Sequence, residues 1–197
     1  MYAEHVPLMK AHGQTPSGFA DIVTFAIVTQ NQHFYRVKPI LERMRSHGLE
    51  FCSMLTRRQK ASIAHVQTEA ADVLPLPPCT REALRCLVEL PSIGIVKAAF
   101  VLQLLGYPIG CLDVHNMRIA GLARHVFDHI PTKAEGLSQK FRTYMDTCTA
   151  LGGAEFLWDR WCHVVALKYP KWFPSANHVS AYHVDCIGRG SEHAGDF

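Results

Sequence analysis

Four polar side chains that suit catalysis lie within one short segment, in the order Asp113, His115, Asn116 and Arg118. A carboxylate there can accept a proton from a nucleophile or stabilise positive charge at a reacting carbon. The imidazole, amide and guanidinium can donate hydrogen bonds to an anionic group. Structural interpretations exist as well. Asp113 can cap a helix that begins near residue 114, His115 can be a core histidine, and Asn116 can be an ordinary first-turn residue.

A sharp turn, Pro91-Ser92-Ile93-Gly94, precedes this segment and separates two helix-forming stretches. Such a P-x-x-G turn directs backbone N–H groups outward at the start of the next helix, which makes an anion site suited to a phosphate. Gly94 fits because a close phosphate leaves no room for a side chain. Val96 and Lys97 follow in the next helix, and Lys97 is either a phosphate ligand or a solvated lysine.

A polar break, Thr29-Gln30-Asn31-Gln32-His33, lies further upstream. A polar loop without a ligand is the structural interpretation of these amide side chains. Residues 36–60 carry seven Lys or Arg against two Glu, a net charge of +5, whereas the rest of the chain sums to −2. This basic stretch is either a phosphate-facing surface or a solvated helix face.

Helical periodicity dominates the elements that must position these residues, and convincing alternating strands are absent, so we predict an all-α fold. The apolar spacing predicts helices near residues 19–27, 37–44, 63–73, 80–88, 95–105, 137–151 and 154–168, and shorter ones from about 114 and 175. Residues 188–197 are expected to be frayed.

The segment from Leu87 to Arg118 resembles the helix-hairpin-helix element of the DNA glycosylase superfamily, in which an Asp follows the hairpin helix as Asp113 does here. The polar break resembles that family's S-x-Q segment, which contacts the minor groove. The resemblance covers about residues 19–125. It implies a two-lobed all-α fold that binds double-stranded DNA with one nucleotide flipped out.

The resemblance also implies the boundaries of the two lobes. Residues 20–115 would form a central lobe with the hairpin at about 80–105, and residues 1–19 with 116–197 would form the second lobe. The residues implied to contact DNA come from the polar break and the hairpin: Gln30, Asn31, Gln32, Pro91, Ser92, Ile93, Gly94 and Val96.

Departures from the family pattern narrow the expected chemistry. Lyase-competent members carry a Lys where this chain has Val96, and Lys97 lies about 100° further round the helix, so Schiff-base chemistry is not expected. Ser92 replaces the first glycine of the hairpin and should be tolerated. The C-terminal cysteine cluster of one branch is missing, so no iron–sulfur cluster is expected. The hairpin of the family can hold a monovalent cation through turn carbonyls when DNA is bound.

A narrower resemblance involves residues 113–116 (Asp-Val-His-Asn) and 152–162 (Gly-Gly-Ala-Glu-Phe-Leu-Trp-Asp-Arg-Trp-Cys). They are similar to the phage-borne amino acid:DNA transferases, first described as glutamyl/putrescinyl-thymine pyrophosphorylases. This resemblance implies that a free amino acid, with glycine as a candidate, displaces pyrophosphate from activated 5-hydroxymethyluracil in DNA. Asp113, His115 and Asn116 would then be catalytic, while the implied pyrophosphate ligands are Lys97, His33 and Arg118.

Two other functions stay open at this stage. The first is a monofunctional DNA glycosylase that hydrolyses a modified or damaged base, with Asp113 stabilising the sugar and orienting water. The second is a non-catalytic DNA-binding module that keeps the hairpin alone, against which the retained Asp113 argues.

Composition sets the remaining expectations. The 197 residues are 48% hydrophobic and 19% charged, which is typical of a globular protein. No apolar run reaches the roughly 18–20 residues that span a membrane, and residues 1–10 lack a signal-peptide pattern. The seven cysteines are scattered without a C-x-x-C pair, so we expect a reducing compartment and no structural metal. The expected location is the cytoplasm, or the host cytoplasm for a viral protein.

Overall fold

The computed structural model describes residues 1–30, 32–123 and 125–187. Within these ranges the regular structure is helical and no strand is present, so the prediction of an all-α fold is confirmed. Asn31 and the terminus expected to be frayed, residues 188–197, lie outside the described residues. The helices are α1 Tyr2–His12, α2 Pro16–Val28, α3 Val37–His47, α4 Arg57–Val73, α5 Thr80–Val88, α6 Ile95–Leu104, α7 Val114–Ile119, α8 Ala134–Ala150, α9 Gly153–Lys168 and α10 Ala176–Ile187.

Helix α2 lies at the centre of the core and packs against α4, α6 and α10. It begins with Pro16 in its first turn, and the Thr15 hydroxyl oxygen accepts a hydrogen bond from the Gly18 N–H at 3.1 Å. These are typical helix-start residues, because proline lacks the N–H that would be unpaired there and threonine satisfies another. Every residue from Gly18 to Val28 except Asp21 is buried, so α2 fixes the position of the polar break that follows it.

Helix α1 is the element that the sequence did not predict. It contains Pro7 in its interior, and its buried residues are few: His5, Val6 and Met9. An interior proline normally ends a helix because it lacks an N–H and crowds the preceding turn, and three buried residues make a weak periodic signal. The helix is stabilised instead by packing against α6, α9 and α10.

The packing of α1 against α9 and α10 brings the two ends of the described chain together. The division at residues 20–115 stays a prediction, because one continuous cluster of buried side chains includes residues from every helix.

Helices α5 and α6 pack against each other and are joined by the short turn at residues 89–94. After α6 the chain reverses through residues 105–113, and α7 begins at Val114 beside α9. The start of α6, the start of α7 and one face of α9 therefore converge on the end of α2.

None of the described helices combines the length and the apolar character that crossing a bilayer requires. All seven cysteines are free thiols, and Cys52, Cys148, Cys162 and Cys186 among them are buried. These buried thiols pack as small apolar groups in the core.

Candidate active site

A pocket of about 550 Å³ opens where the end of α2, the start of α6, the start of α7 and α9 meet. Its volume lies within the range of small-molecule sites, roughly 300–1,000 Å³. The pocket brings together eight residues that the sequence singled out: Gln30, Gln32, His33, Gly94, Val96, Lys97, Asp113 and His115. Buried Asn116 also borders it.

Asp113 caps α7 and faces the pocket at the same time. One carboxylate oxygen, Oδ1, accepts hydrogen bonds from the backbone N–H groups of His115 at 3.1 Å and Asn116 at 2.9 Å. The other oxygen, Oδ2, accepts a hydrogen bond from the indole N–H of Trp161 at 2.8 Å. A carboxylate offers about four acceptor positions, so these three donors fix its orientation and leave about one position for a ligand. The capping and catalytic interpretations of Asp113 are therefore compatible in this geometry.

Trp161 is held in place by its own neighbours. Its ring packs edge-on against Phe34, with 4.9 Å between centroids, and against His183 at 5.3 Å. Phe34 and His183 are buried, so the indole has little freedom to rotate away from Asp113. Residues from α9 and α10 thus determine where the Asp113 carboxylate points.

Asn116 is 2% exposed, and its amide group is engaged within the protein. Its Nδ2 donates to the Cys111 carbonyl at 2.9 Å and approaches the Leu157 carbonyl at 3.4 Å, while its Oδ1 accepts from Arg160 Nε at 3.1 Å. These bonds join the loop before Asp113, helix α7 and helix α9. The geometry favours a positioning role for Asn116 over the catalytic role implied by the resemblance.

Lys97 extends from the first turn of α6 into the pocket, where its ammonium donates to the Thr29 hydroxyl at 2.9 Å. Burial lowers the pKa of Lys97, and the nearby Cys111 and Asp113 partly oppose that shift. The sequence placed Lys97 about 100° from Val96 on the helix, yet both residues line the pocket. The long lysine side chain spans that angle and reaches the end of α2.

Hydrogen bonds join the turn before α6 to the polar break and to α4. Gln30 Nε2 donates to the Ser92 carbonyl at 3.1 Å, and the Ser62 hydroxyl donates to the Ser92 hydroxyl at 2.7 Å. Ser92 has a φ of +63°, a left-handed conformation that costs a non-glycine residue about 1 kcal/mol. These two hydrogen bonds explain how serine is tolerated where the resembled family has glycine.

Gly94 precedes α6 and has no neighbour within 4 Å of the position where a Cβ would stand. Its φ of −89° is accessible to every residue, so neither packing nor backbone conformation requires glycine here. The space outside Gly94 is open, and no side chain caps the first N–H groups of α6. This arrangement leaves the start of α6 accessible to an external anion.

The structure corrects two of the expected contacts. Arg118 was expected near Asp113, but it is exposed on α7 and does not line the pocket, because Asn116 and Met117 occupy the buried face of this short helix. Ile93 was expected to contact DNA, but its side chain is 3% exposed and its N–H donates to the Leu90 carbonyl at 3.2 Å. The side chain of Ile93 is therefore buried in the core and its N–H is hydrogen-bonded within the turn, so neither is available to an external partner.

Of the other predicted residues, Gln32, His33 and His115 line the pocket, whereas Pro91 lies outside it. His33 is exposed, and its Nδ1 is 3.0 Å from the Tyr169 hydroxyl. Gln32 donates to the Met54 carbonyl at 3.3 Å, and Pro91 is exposed on the turn. His115 is partly exposed beside Asp113.

Sequence reasoning did not single out Trp161, Lys168 or Tyr169, which also line the pocket. Trp161 carries no local signal of this role, because its spacing in α9 is the same for a packing residue and for one that binds a carboxylate. A contact between residues 113 and 161 is not encoded in local periodicity.

Within the described part of the chain, no group of three or more His, Cys, Asp or Glu side chains is arranged to hold a metal ion. The monovalent cation implied at the hairpin stays a prediction. The carbonyl oxygens of Leu90 and Ser92 in that turn already accept hydrogen bonds from Ile93 and Gln30.

We expect Trp161→Phe to lower the rate of a reaction that depends on the Asp113 carboxylate about tenfold, because the hydrogen bond to a charged acceptor is worth about 1.5–3 kcal/mol. The comparison variant is Trp158→Phe, which removes an indole hydrogen bond to the Ser180 hydroxyl (3.0 Å) and not one to Asp113. Steady-state kinetics and denaturant unfolding of both variants separate the two effects. An equal loss of rate in both would show that the Trp161–Asp113 bond has no special part in catalysis.

Comparisons with family models, with curated proteins and with solved structures found no match to this chain.

Proposed function

We propose that this protein modifies a base in double-stranded DNA by transferring an amino acid to it, with pyrophosphate as the leaving group. The observation that carries the proposal is the meeting of Asp113 and Lys97 in one pocket. Transfer of an amine to a carbon that loses an anion needs a carboxylate for the amine and a cation for the anion. Asp113 supplies the carboxylate and Lys97 the cation in this pocket.

Asp113 would receive the incoming amine. Three N–H donors already fix the carboxylate, and its remaining acceptor position can take a hydrogen bond from the amino group. Holding the nucleophile in one orientation beside the reacting carbon lowers the entropic part of the barrier.

Lys97 would stabilise the departing pyrophosphate. Its ammonium lies in a partly desolvated pocket, where attraction to an anion is stronger than in water. The first N–H groups of α6, which no side chain caps, would supply further donors for phosphate oxygens.

The proposed transfer forms one bond at the exocyclic carbon of the base and breaks another. The lone pair of the neutral amino group forms a C–N bond to the exocyclic CH2 of the 5-hydroxymethyluracil. The C–O bond to the activating group breaks, and pyrophosphate leaves with the electron pair. The proton released by the new secondary amine passes to Asp113 and then to solvent. The target base must leave the stack to reach this pocket.

Hydrolytic base excision is the second candidate, and the rigid carboxylate of Asp113 is the observation that favours it. A fixed carboxylate can stabilise the oxocarbenium-like sugar and orient a water molecule. The Lys97 ammonium is unfavourable for that reaction, because it lies near the site where positive charge would develop. Amino acid transfer is therefore the better-supported function.

We expect Lys97→Met to slow pyrophosphate release about 30-fold, because a charge-assisted contact to the leaving group is lost. The assay measures pyrophosphate from DNA that contains pyrophosphorylated 5-hydroxymethyluracil, with a mixture of amino acids. Lys133→Met, which changes an exposed lysine outside the pocket, is the matched control. Equal rates for Lys97→Met and wild type would contradict the role of Lys97.

The pH dependence of the rate gives a further test of Lys97, through a comparison of the wild type with Lys97→Arg. Because burial lowers the pKa of Lys97, its charge is lost at a lower pH than that of an ordinary lysine. The rate should therefore fall on the alkaline side, and Lys97→Arg should move that fall to higher pH since arginine stays charged.

A further inference from the structure

A cluster of four aromatic side chains lies at the mouth of the pocket: His33, Tyr35, Tyr169 and Trp172. The rings of Tyr35 and Trp172 are parallel, with 4.8 Å between centroids and 3° between planes. His33 is also nearly parallel to Tyr35, at 5.6 Å and 16°. Tyr169 packs edge-on against both His33 and Tyr35. We call these four residues the rim cluster.

Much of the rim cluster is open to solvent. Trp172 exposes 56% of its surface, which is unusual for the largest apolar side chain. His33 is exposed, and Tyr35 and Tyr169 are partly exposed. The core therefore does not use the outer surface of these rings, and mutual contacts hold them in a defined orientation.

Positive charge surrounds the rim cluster. Residues 32–38 and 168–173, which contribute its four rings, contain four Lys or Arg and no Asp or Glu. The Arg36 guanidinium lies 5.6 Å from the Tyr35 ring centroid, and the Lys168 ammonium lies 5.2 Å from that of Tyr169. Lys171 is exposed beside Trp172, whereas Lys38 is paired with Asp185 at 3.3 Å.

The rim cluster adjoins the pocket, because two of its residues, His33 and Tyr169, also line the pocket. The hydrogen bond between His33 and the Tyr169 hydroxyl, at 3.0 Å, joins the two chain segments. A single strand bound at the mouth of the pocket would therefore have its bases near these rings.

We infer that the rim cluster is a stacking platform for unpaired nucleobases of a DNA strand. Parallel exposed rings bind bases of any sequence through their flat faces, and adjacent cations bind the phosphates between them. The rim cluster supplies both elements in one place. This inference goes beyond the proposed function, since stacking at Trp172 requires no chemistry at Asp113.

Binding of the full-length protein to a fluorescein-labelled oligothymidylate of about 12 nucleotides tests the inference. We expect Trp172→Ala to weaken binding about tenfold, because base stacking on an aromatic ring is lost. Trp172→Phe should bind nearly as tightly as wild type, because phenylalanine keeps a flat ring. The matched control is Leu167→Ala, which shortens a side chain that is 83% exposed on the neighbouring α9.

Intrinsic fluorescence provides a second measurement that does not depend on the alanine variant folding. Stacking of a base on Trp172 should quench the tryptophan emission of the wild-type protein. The same oligonucleotide should leave the emission of Trp172→Phe nearly unchanged while it still binds.

Three results would overturn the inference: unchanged affinity in Trp172→Ala, an equal loss in Leu167→Ala, or full quenching in Trp172→Phe. The oligonucleotide carries no activated base and no amino acid is added, so no reaction at Asp113 enters this measurement. Absence of the proposed reaction in the pocket and absence of stacking on the rim cluster are therefore distinguishable.

Discussion

Asp113→Asn should reduce the rate of the proposed transfer about 10³-fold and leave DNA binding intact, because the lost group is the carboxylate that would receive the incoming amine. The asparagine oxygen can still accept the backbone N–H groups of His115 and Asn116, so α7 keeps its cap. Removing a negative charge near the phosphates can tighten DNA binding. Product formation and duplex affinity are the two measurements.

The matched control for Asp113→Asn is Asp128→Asn, which makes the same change at an exposed acid that also borders the pocket. Its rate should stay close to that of wild type. If Asp113→Asn keeps wild-type activity, both the transfer and the hydrolysis mechanisms are wrong. The asparagine NH2 group would also face the Trp161 N–H, so the variant should lose about 1–3 kcal/mol of unfolding free energy.

Acid should destabilise the protein through His183, a completely buried residue of α10. Burial lowers the pKa of His183 to about 3 from its ordinary value of 6.5. Between these two values the unfolded chain binds a proton that the folded protein does not, so stability falls as the pH falls. The contribution of this one group reaches about 3 kcal/mol near pH 4.

His183 also connects stability to the site. Its ring contacts Trp158 at 4.4 Å, Phe34 at 4.9 Å and Trp161 at 5.3 Å, all of which line the pocket. Protonation of the imidazole would place an unpaired charge behind these rings, and the support for the Trp161–Asp113 bond would weaken.

Denaturant unfolding between pH 7 and 4 tests this prediction in the wild type and in His183→Leu. The carboxylates of both proteins titrate alike, so the difference between the two pH profiles isolates His183. The variant should lose about 3 kcal/mol less than wild type over this range. Parallel profiles would show that His183 does not control acid stability.

The fold class and most helices could be predicted from sequence because their signals are local. Apolar spacing identified α2, α3, α5 and α6, and the turn at residues 91–94 was evident from its proline and glycine. Helix α1 could not be predicted, because Pro7 masks a helix that depends on packing with distant segments.

In the candidate site too, residues could be predicted from local signals, whereas contacts between distant segments could not. Asp113, Lys97 and the polar break were identified from residue type, position and the family resemblance, and the pocket contains Asp113, Lys97, Gln30, Gln32 and His33. The bond from Trp161 to Asp113 joins residues 48 positions apart, and the bond from Lys97 to Thr29 spans 68. Long-range contacts of this kind depend on tertiary packing, which also explains why Arg118 lies outside the pocket.

Mass spectrometry of nucleosides tests the central claim most directly. The protein is incubated with duplex DNA that contains pyrophosphorylated 5-hydroxymethyluracil and with a mixture of free amino acids, and the DNA is then digested. Amino acid transfer predicts a nucleoside heavier by one aminoacyl substituent, together with released pyrophosphate, and its mass identifies the donor. Free base and abasic sites, or unchanged DNA, would contradict the transfer mechanism.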